Sequence, residues 1–271
     1  MIEWPKCDSF NDFWKLSVPT YIENWPKGLR ELSVNSIDIP LSLDDAKIIG
    51  SNIMELGERF APRALECSEI KSVLDQAMAR FYPKGAFVRL GSRSPKDSWA
   101  GNRNGFKVKT GAEAFGLLTD CSERIADDLQ NCIAQNYPPH IFVREWVDIE
   151  NWREFRCFML DRKLIGISQY YYREYFPQIG EYETVFMSWI NGWFTKKFLP
   201  AIHVDSVVFD IWVNPTKMDE VITLIEINPL IATPMLGTDP CLFDYSRPDE
   251  FDGRMKYRLE VTAEKEGNFI I

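Results

Sequence analysis

The chain has 271 residues, enough to bury a sizeable core in one large domain or two small ones. Its 31 Lys and Arg face 40 Asp and Glu, a formal charge of −9, and no long basic run offers the clustered cations that a nucleic-acid backbone requires. No apolar run approaches the roughly 18–20 residues of a membrane span. The start lacks a signal peptide's apolar stretch, and six cysteines without C-x-x-C spacing suit a reducing, cytoplasmic setting.

Residues 1–40, with Trp4, Trp14 and Trp25 among prolines, read as an irregular arm with short helical pieces. Leu43 to about Glu58 reads as a helix with Asp44 and Asp45 in its first turn, where the helix dipole favours acids. Glu69 to Arg80 is a second helix, stopped before Pro83-Lys84-Gly85. Ala86–Leu90 follows as a short strand, then a polar loop from Gly91 to Gly105. Phe106–Lys109 is a strand or the approach to a helix, and Gly111 to Gln135 is a long helix with Cys121 and Cys132 on one face.

From Pro138 the pattern turns to strands. Ile141–Val147 is one, and Glu154–Leu160 and Lys163–Gln169 form a hairpin around Asp161-Arg162. Residues 181–199 read as a helix packing Phe186, Ile190 and Phe194 at helical spacing. The last forty residues wrap the outside. The organisation expected is an extension over 1–60, lobes over 61–140 and 141–250, and a tail over 251–271. A ligand cleft is expected between the lobes.

Val207–Val213 and Val221–Pro229 carry the chemistry. Both read as strands, joined by a turn near Lys217 or Met218. Alternation places Asp210 and Trp212 on one face of the first, and Leu224, Glu226 and Asn228 on one face of the second. Pairing then sets Asp210 beside residues 224–226. Two carboxylates and an amide oxygen at one end of a sheet suit Mg²⁺, which is held by one or two carboxylates plus nucleotide phosphates. The competing reading is a solvated strand face ended by Asn-Pro. Arg156 points away from Phe155 and Cys157, so it offers a bidentate grip on phosphate or an ion pair to a neighbouring strand. Gln169, ending its strand, is a candidate for a ribose or phosphate contact or a surface residue.

Six segments in order resemble the cell division cycle protein 123 family, an offshoot of the ATP-grasp superfamily. They are Ser94-Pro-Lys-Asp97, Arg144-Glu-Trp146, Glu154-Phe-Arg-Cys-Phe158, Leu164-Ile-Gly-Ile-Ser-Gln169, Phe209-Asp-Ile211 and Leu224-Ile-Glu-Ile-Asn-Pro229. The resemblance implies an α+β ATP-grasp fold, with two lobes of antiparallel sheet and a nucleotide cleft between them. It places the Mg²⁺ ligands at Asp210, Glu226 and Asn228, with Glu226 where the family commonly has Asp. It sets the adenine edge along Arg144, Glu145, Trp146 and Val147. Arg89 stands where the family has a phosphate-binding Lys, and Lys109 is a second basic contact with Lys107 as its rival. The loop from Gly91 to Asp97 is expected to cover phosphates or to dock a substrate.

Function divides two ways. The superfamily implies ATP-dependent phosphoryl transfer or ligation on a macromolecule, with Arg156 and Arg89 stabilising charge. The family's eukaryotic members imply instead an ATP-bound assembly factor for the γ subunit of translation initiation factor two. His140 and His203 lie outside the motifs, so no Ser-His-Asp or Cys-His set is evident.

Overall fold

Short runs of alternating β-branched and aromatic residues build two sheets, described by a computed structural model for residues 4–5, 7–51, 53, 67–81, 83–120, 122–214, 222–231, 241–243 and 255–258. In chain order the early elements are α1 (Phe10–Ser17), α2 (Lys27–Arg30), β1 (Ser36–Pro40), α3 (Leu43–Ser51), α4 (Ser68–Ala79) and β2 (Ala86–Leu90). Next come α5 (Trp99–Asn104), α6 (Gly111–Thr119), α7 (Glu123–Ala134), β3 (His140–Glu145), β4 (Glu154–Leu160) and β5 (Lys163–Gln169). The series ends with α8 (Pro177–Trp193), α9 (Leu199–Ala201), β6 (Val207–Val213), β7 (Ile222–Pro229) and β8 (Lys256–Arg258). The result is an α+β chain with one antiparallel and one mixed sheet. Among the described residues no helix is long and apolar enough to cross a membrane.

Contacts group residues 35–147 as one unit, and residues 1–34 with 148–271 as the other. Sequence order alone does not reveal that grouping. The first segment joins the second through a bridge from Ser33 to Leu224, whose carbonyl accepts from the Ser33 hydroxyl at 2.8 Å.

In the 35–147 unit the strand order is β1-β3-β2, all antiparallel. Ala86, Val88, Leu90, Ile141 and Val143 turn one face of this sheet into a core with α3, α4, α6 and α7. β1 was not expected from sequence, because Ser36-Ile-Asp-Ile-Pro40 gives only two turns of alternation and ends in Pro. The proline is tolerated because β1 is an edge strand, so one side of its backbone needs no ladder bond.

The long helix expected over 111–135 is two helices. α6 is held by a capping box between Thr110 and Glu113, and α7 restarts at the Ser122 cap. Asp97 reinforces that second start. Its carboxylate accepts from the Ser122 hydroxyl at 2.7 Å and from the Arg124 amide at 2.9 Å. Cys121 lies outside the described residues, so its alignment with Cys132 is not described.

The loop after β2 also departs from expectation. It contains α5, capped by Ser98 and closed by Gly105 at φ +83. Ser94 and Ser98 are buried, Arg93 meets Asp128 at 3.4 Å, and Trp99 donates its amide to the Asp120 carbonyl. The segment expected to cover phosphates or to dock a substrate is tied to the start and the middle of α7 through Asp97 and Arg93.

The other unit carries a sheet in the order β7-β6-β4-β5-β8, with only β8 parallel to its neighbour. Its β4–β5 hairpin turns on Asp161 and Arg162, both with positive φ, as a two-residue turn requires. Cys157, Phe155 and Phe209 face α8 and the π-turn that follows it. Phe155 packs edge-on to Phe186 and Phe209 stacks on Phe198 at 4.2 Å. On the opposite face Phe158 and Val208 are covered by Cys241, Leu242 and Phe243. Gly166 permits that cover, since a Cβ there would come within 2.6 Å of Leu242 and 2.8 Å of Phe243.

Candidate functional site

Strand register settles which side chains of the five-stranded sheet stand together. Ser168, Arg156, Asp210 and Glu226 are direct cross-strand partners, one on each of β5, β4, β6 and β7. Such partners lie on the same face. Arg156 donates from Nε to one Asp210 carboxylate oxygen and from Nη2 to the other, each at 2.8 Å. The pair is almost fully enclosed, with side chains 6% and 1% exposed. The Arg156 guanidinium also lies over the Tyr170 ring at 4.8 Å. Burial works against the Arg156 charge, but Asp210 overcomes it and holds the guanidinium well above its ordinary pKa.

Asp210 and Glu226 therefore meet as expected, but Leu224 does not join them. A bulge between Asp210 and Ile211 sets Leu224 opposite Ile211 and turns it to the other face. Asn228 stays with Glu226, and its amide nitrogen donates to Glu226 Oε1 at 3.1 Å. The turn expected near Lys217 and Met218 lies outside the described residues, although the pairing of Val213 with Ile222 is centred on it.

This donor set fits a hard divalent cation. Each Asp210 oxygen accepts one hydrogen bond from Arg156, and a carboxylate oxygen has the capacity to bind a second group. Glu226 is only half-buried, and Asn228 brings an amide oxygen. Carboxylate and amide oxygens are the hard donors that Mg²⁺ prefers. Among the described residues no group of three or more His, Cys, Asp and Glu side chains is placed to hold a metal.

Gln169 falls on the other face. It pairs with Phe155, and its side-chain nitrogen bonds the Asn151 carbonyl at 2.8 Å while its oxygen is buried without a hydrogen bond. The residue on Arg156's face at that end is Tyr170, which sequence reading missed. Alternation along Gly166, Ser168 and Tyr170 was the signal that could have found it. Cys157 also faces away from Arg156; burial, then Asp210, pushes its thiol well above the ordinary range and leaves it unreactive.

The remaining candidates belong to the 35–147 unit, and all but Glu145 and Val147 gather on the face of its sheet that lies opposite the core. Arg89 and Arg144 are both buried there, 3% and 5% exposed, paired with Phe142 and Phe87 respectively. Arg89 Nε donates to the Leu90 carbonyl at 3.0 Å. Val108 bridges Ala86 on the core side, so alternation turns Lys107 and Lys109 to the arginines' face. Lys107 lies 5.6 Å from the Trp146 ring centre, and Lys109 is exposed. Glu145 points the other way. It pairs with Ala86 and bonds Lys84 at 2.5 Å and Asn35 at 3.1 Å. Val147, half-buried, follows the end of β3. The sheet thus presents two buried guanidiniums, two surface ammoniums and an indole on one face, a surface suited to phosphate and a flat ring.

Comparison with known proteins agrees with this reading of the fold. The chain is 26% identical over 258 residues to Translation initiation factor eIF2 assembly protein of Xenopus laevis, covering 82% of this chain and 74% of that protein. It is 29% identical over 178 residues to the protein of that name from Dictyostelium discoideum, covering 62% of this chain but only 45% of the relative. The solved structure of Cdc123 from Schizosaccharomyces pombe superposes with a TM-score of 0.74 at 20% identity, over 92% of this chain and 98% of that one. The D123 family model matches residues 54–266. That span takes in every strand but β1 and every candidate residue above, and the chain belongs to this family, the cell division cycle protein 123 family.

Proposed function

We propose that this chain is an ATP- and Mg²⁺-binding assembly factor, acting on the γ subunit of a translation initiation factor two. The observation that carries the assembly role is the likeness to relatives named for eIF2 assembly, which extends over 82% of the chain in the longest of the alignments above. Nucleotide binding is supported by the Arg156–Asp210–Glu226 row with Asn228, and by the cationic face around Arg89 and Arg144. Mg²⁺ held by Asp210, Glu226 and Asn228 would neutralise and orient the phosphates. Separately, on the 35–147 unit, Trp146 offers a flat ring and Lys107 and Lys109 offer cations suited to a nucleotide.

Phosphoryl transfer or ligation is the weaker reading. A cation that follows a transferred group must engage it in the transition state. Arg156 is instead fixed by two 2.8 Å bonds to a buried carboxylate, which suits a ligand held rather than consumed.

The test combines purified chain, ATP, Mg²⁺ and the separate α and γ subunits of initiation factor two. Calorimetry should show Mg²⁺-dependent ATP binding, and gel filtration should show more αγ complex with the chain than without it. Unchanged αγ joining would remove the assembly role. Steady ADP release in the absence of any partner would restore the enzyme reading.

A further inference from the structure

Two of the described indoles are buried with an N–H that makes no hydrogen bond, Trp193 at 7% exposure and Trp212 at 8%. An indole nitrogen only donates, and a donor kept from water costs free energy until an acceptor completes it. The two differ in what they face. Trp193 belongs to the aromatic layer between α8 and the sheet. Its ring centre lies 5.4 Å from that of Phe198 and 6.4 Å from that of Phe209.

Trp212 stands on the other face of the sheet. Alternation along β6 puts it with Asp210, and it pairs directly with Glu154 as Asp210 pairs with Arg156. It is the next step past the Arg156–Asp210–Glu226 row, about 6.8 Å further along the strand. From Asp210 the metal set runs the opposite way, since Asn228 pairs with Val208. A nucleotide whose phosphates meet a cation on that set is longer than the set, and Trp212 stands at the end that the set does not reach. Glu154, directly across, is a buried carboxylate. The oxygen that Trp212 takes must therefore tolerate an acid beside it. A hydroxyl does so, and so does a phosphoryl oxygen whose charge Mg²⁺ already balances.

We propose that Trp212 is a ligand-binding residue of this site, its indole N–H donating to an oxygen of the nucleotide, either a phosphoryl oxygen or a sugar hydroxyl. This role rests on the nucleotide reading above and lies outside the metal set, because an indole N–H binds no cation. It also gives the buried donor of Trp212 the acceptor that the protein itself does not supply.

The experiment measures ATP binding with Mg²⁺ by calorimetry on the full chain, on Trp212→Phe and on Trp193→Phe. Trp212→Phe should bind about three- to tenfold more weakly, as for one lost hydrogen bond. Trp193→Phe removes an equally buried N–H from the opposite face and should bind like the parent, so an effect of lost packing alone would appear in both. Tripolyphosphate and 2′,3′-dideoxy-ATP identify the oxygen. A phosphoryl contact makes Trp212→Phe weaker for tripolyphosphate as well, whereas a sugar contact makes the variant and the parent bind the dideoxy nucleotide alike. ATP affinity equal in the parent and Trp212→Phe, or an equal loss in Trp193→Phe, would overturn the role of Trp212 and leave the nucleotide reading standing. No ATP binding by the parent would remove both. Should Trp212→Phe fail to fold, the ¹⁵N-labelled parent decides. Its Trp212 indole N–H signal, assigned from contacts with β4, should move downfield when ATP and Mg²⁺ are added, and a signal that stays in place would overturn the role.

Discussion

Arg156 and Asp210 face each other from adjacent strands as direct ladder partners, and their side chains close a two-bond fork in nearly complete burial. Asp210 thereby serves two masters, an ion pair that belongs to the fold and a donor set that suits Mg²⁺. The two roles predict different costs for neighbouring substitutions.

Asp210→Asn leaves a buried guanidinium without its counter-charge and should destabilise the chain by about 3 kcal/mol. Urea unfolding should show a lower midpoint with an unchanged slope. Replacing both partners, as Arg156→Met with Asp210→Leu, should recover most of the loss, because no uncompensated charge then remains.

Glu226→Gln separates the metal from the fold. Glu226 is half-buried and a Gln there keeps its size and an oxygen to accept from the Asn228 amide, so stability should change by less than about 1 kcal/mol. Mg²⁺-dependent ATP affinity, measured by calorimetry, should fall at least tenfold. Unaltered affinity would take Glu226 out of the metal set.

Gly166→Ala tests the cover over Phe158. The added methyl would press on Leu242 and Phe243, and overpacking of this kind costs about 1–3 kcal/mol. Thermal unfolding should show the loss, and Phe243→Ala in the same background should relieve part of it.

Asp97→Ala removes two bonds from the start of α7 and should cost about 1 kcal/mol. Hydrogen exchange should quicken at residues 122–125 and in the loop after β2. Unchanged exchange there would mean that the Asp97 bonds are not what anchors the loop.

Asp128 sets a pH dependence of known sign. Burial raises its carboxyl above the ordinary range, against the pull of Arg93. The folded state then holds the proton more tightly than the unfolded one, so this stabilisation is complete below the unfolded pKa. It is lost as pH rises through the raised folded value. Asp128→Asn, neutral throughout, should gain on the parent as pH rises through that window, and the two should converge in acid. Chemical unfolding at pH 3 and pH 7 would reveal it, and a larger relative gain at pH 3 would reverse the assignment.

The hairpin that joins Asp210 to Glu226 was legible because a period of two and a short connection leave few ways to pair the strands. Leu224 escaped the same reasoning, since one extra residue in a strand reverses every face beyond it and carries no composition signal. Arg156 was correctly placed by its apolar neighbours. Of its two readings, phosphate grip or ion pair to a neighbouring strand, the ion pair is present, and alternation alone could not choose between them because both need the same face. Ser122 was readable as a cap, yet apolar spacing on both sides of it favoured one continuous helix. Arg258 was invisible, for nothing local in Lys256-Tyr-Arg258 says which strand it will join.

The bridge from Ser33 to Leu224 also dictates an order of events during synthesis. Residues 35–147 form their unit from one uninterrupted stretch, so the contacts within it become available as soon as that stretch leaves the ribosome. Tyr21, Ile22, Trp25 and Leu29, all buried in the finished chain, belong to the other unit. At about 5–20 residues per second, on the order of ten to forty seconds separate the emergence of Ser33 from that of its partner strand. Through that interval an aromatic N-terminal segment stands uncovered, a natural client for a ribosome-associated chaperone.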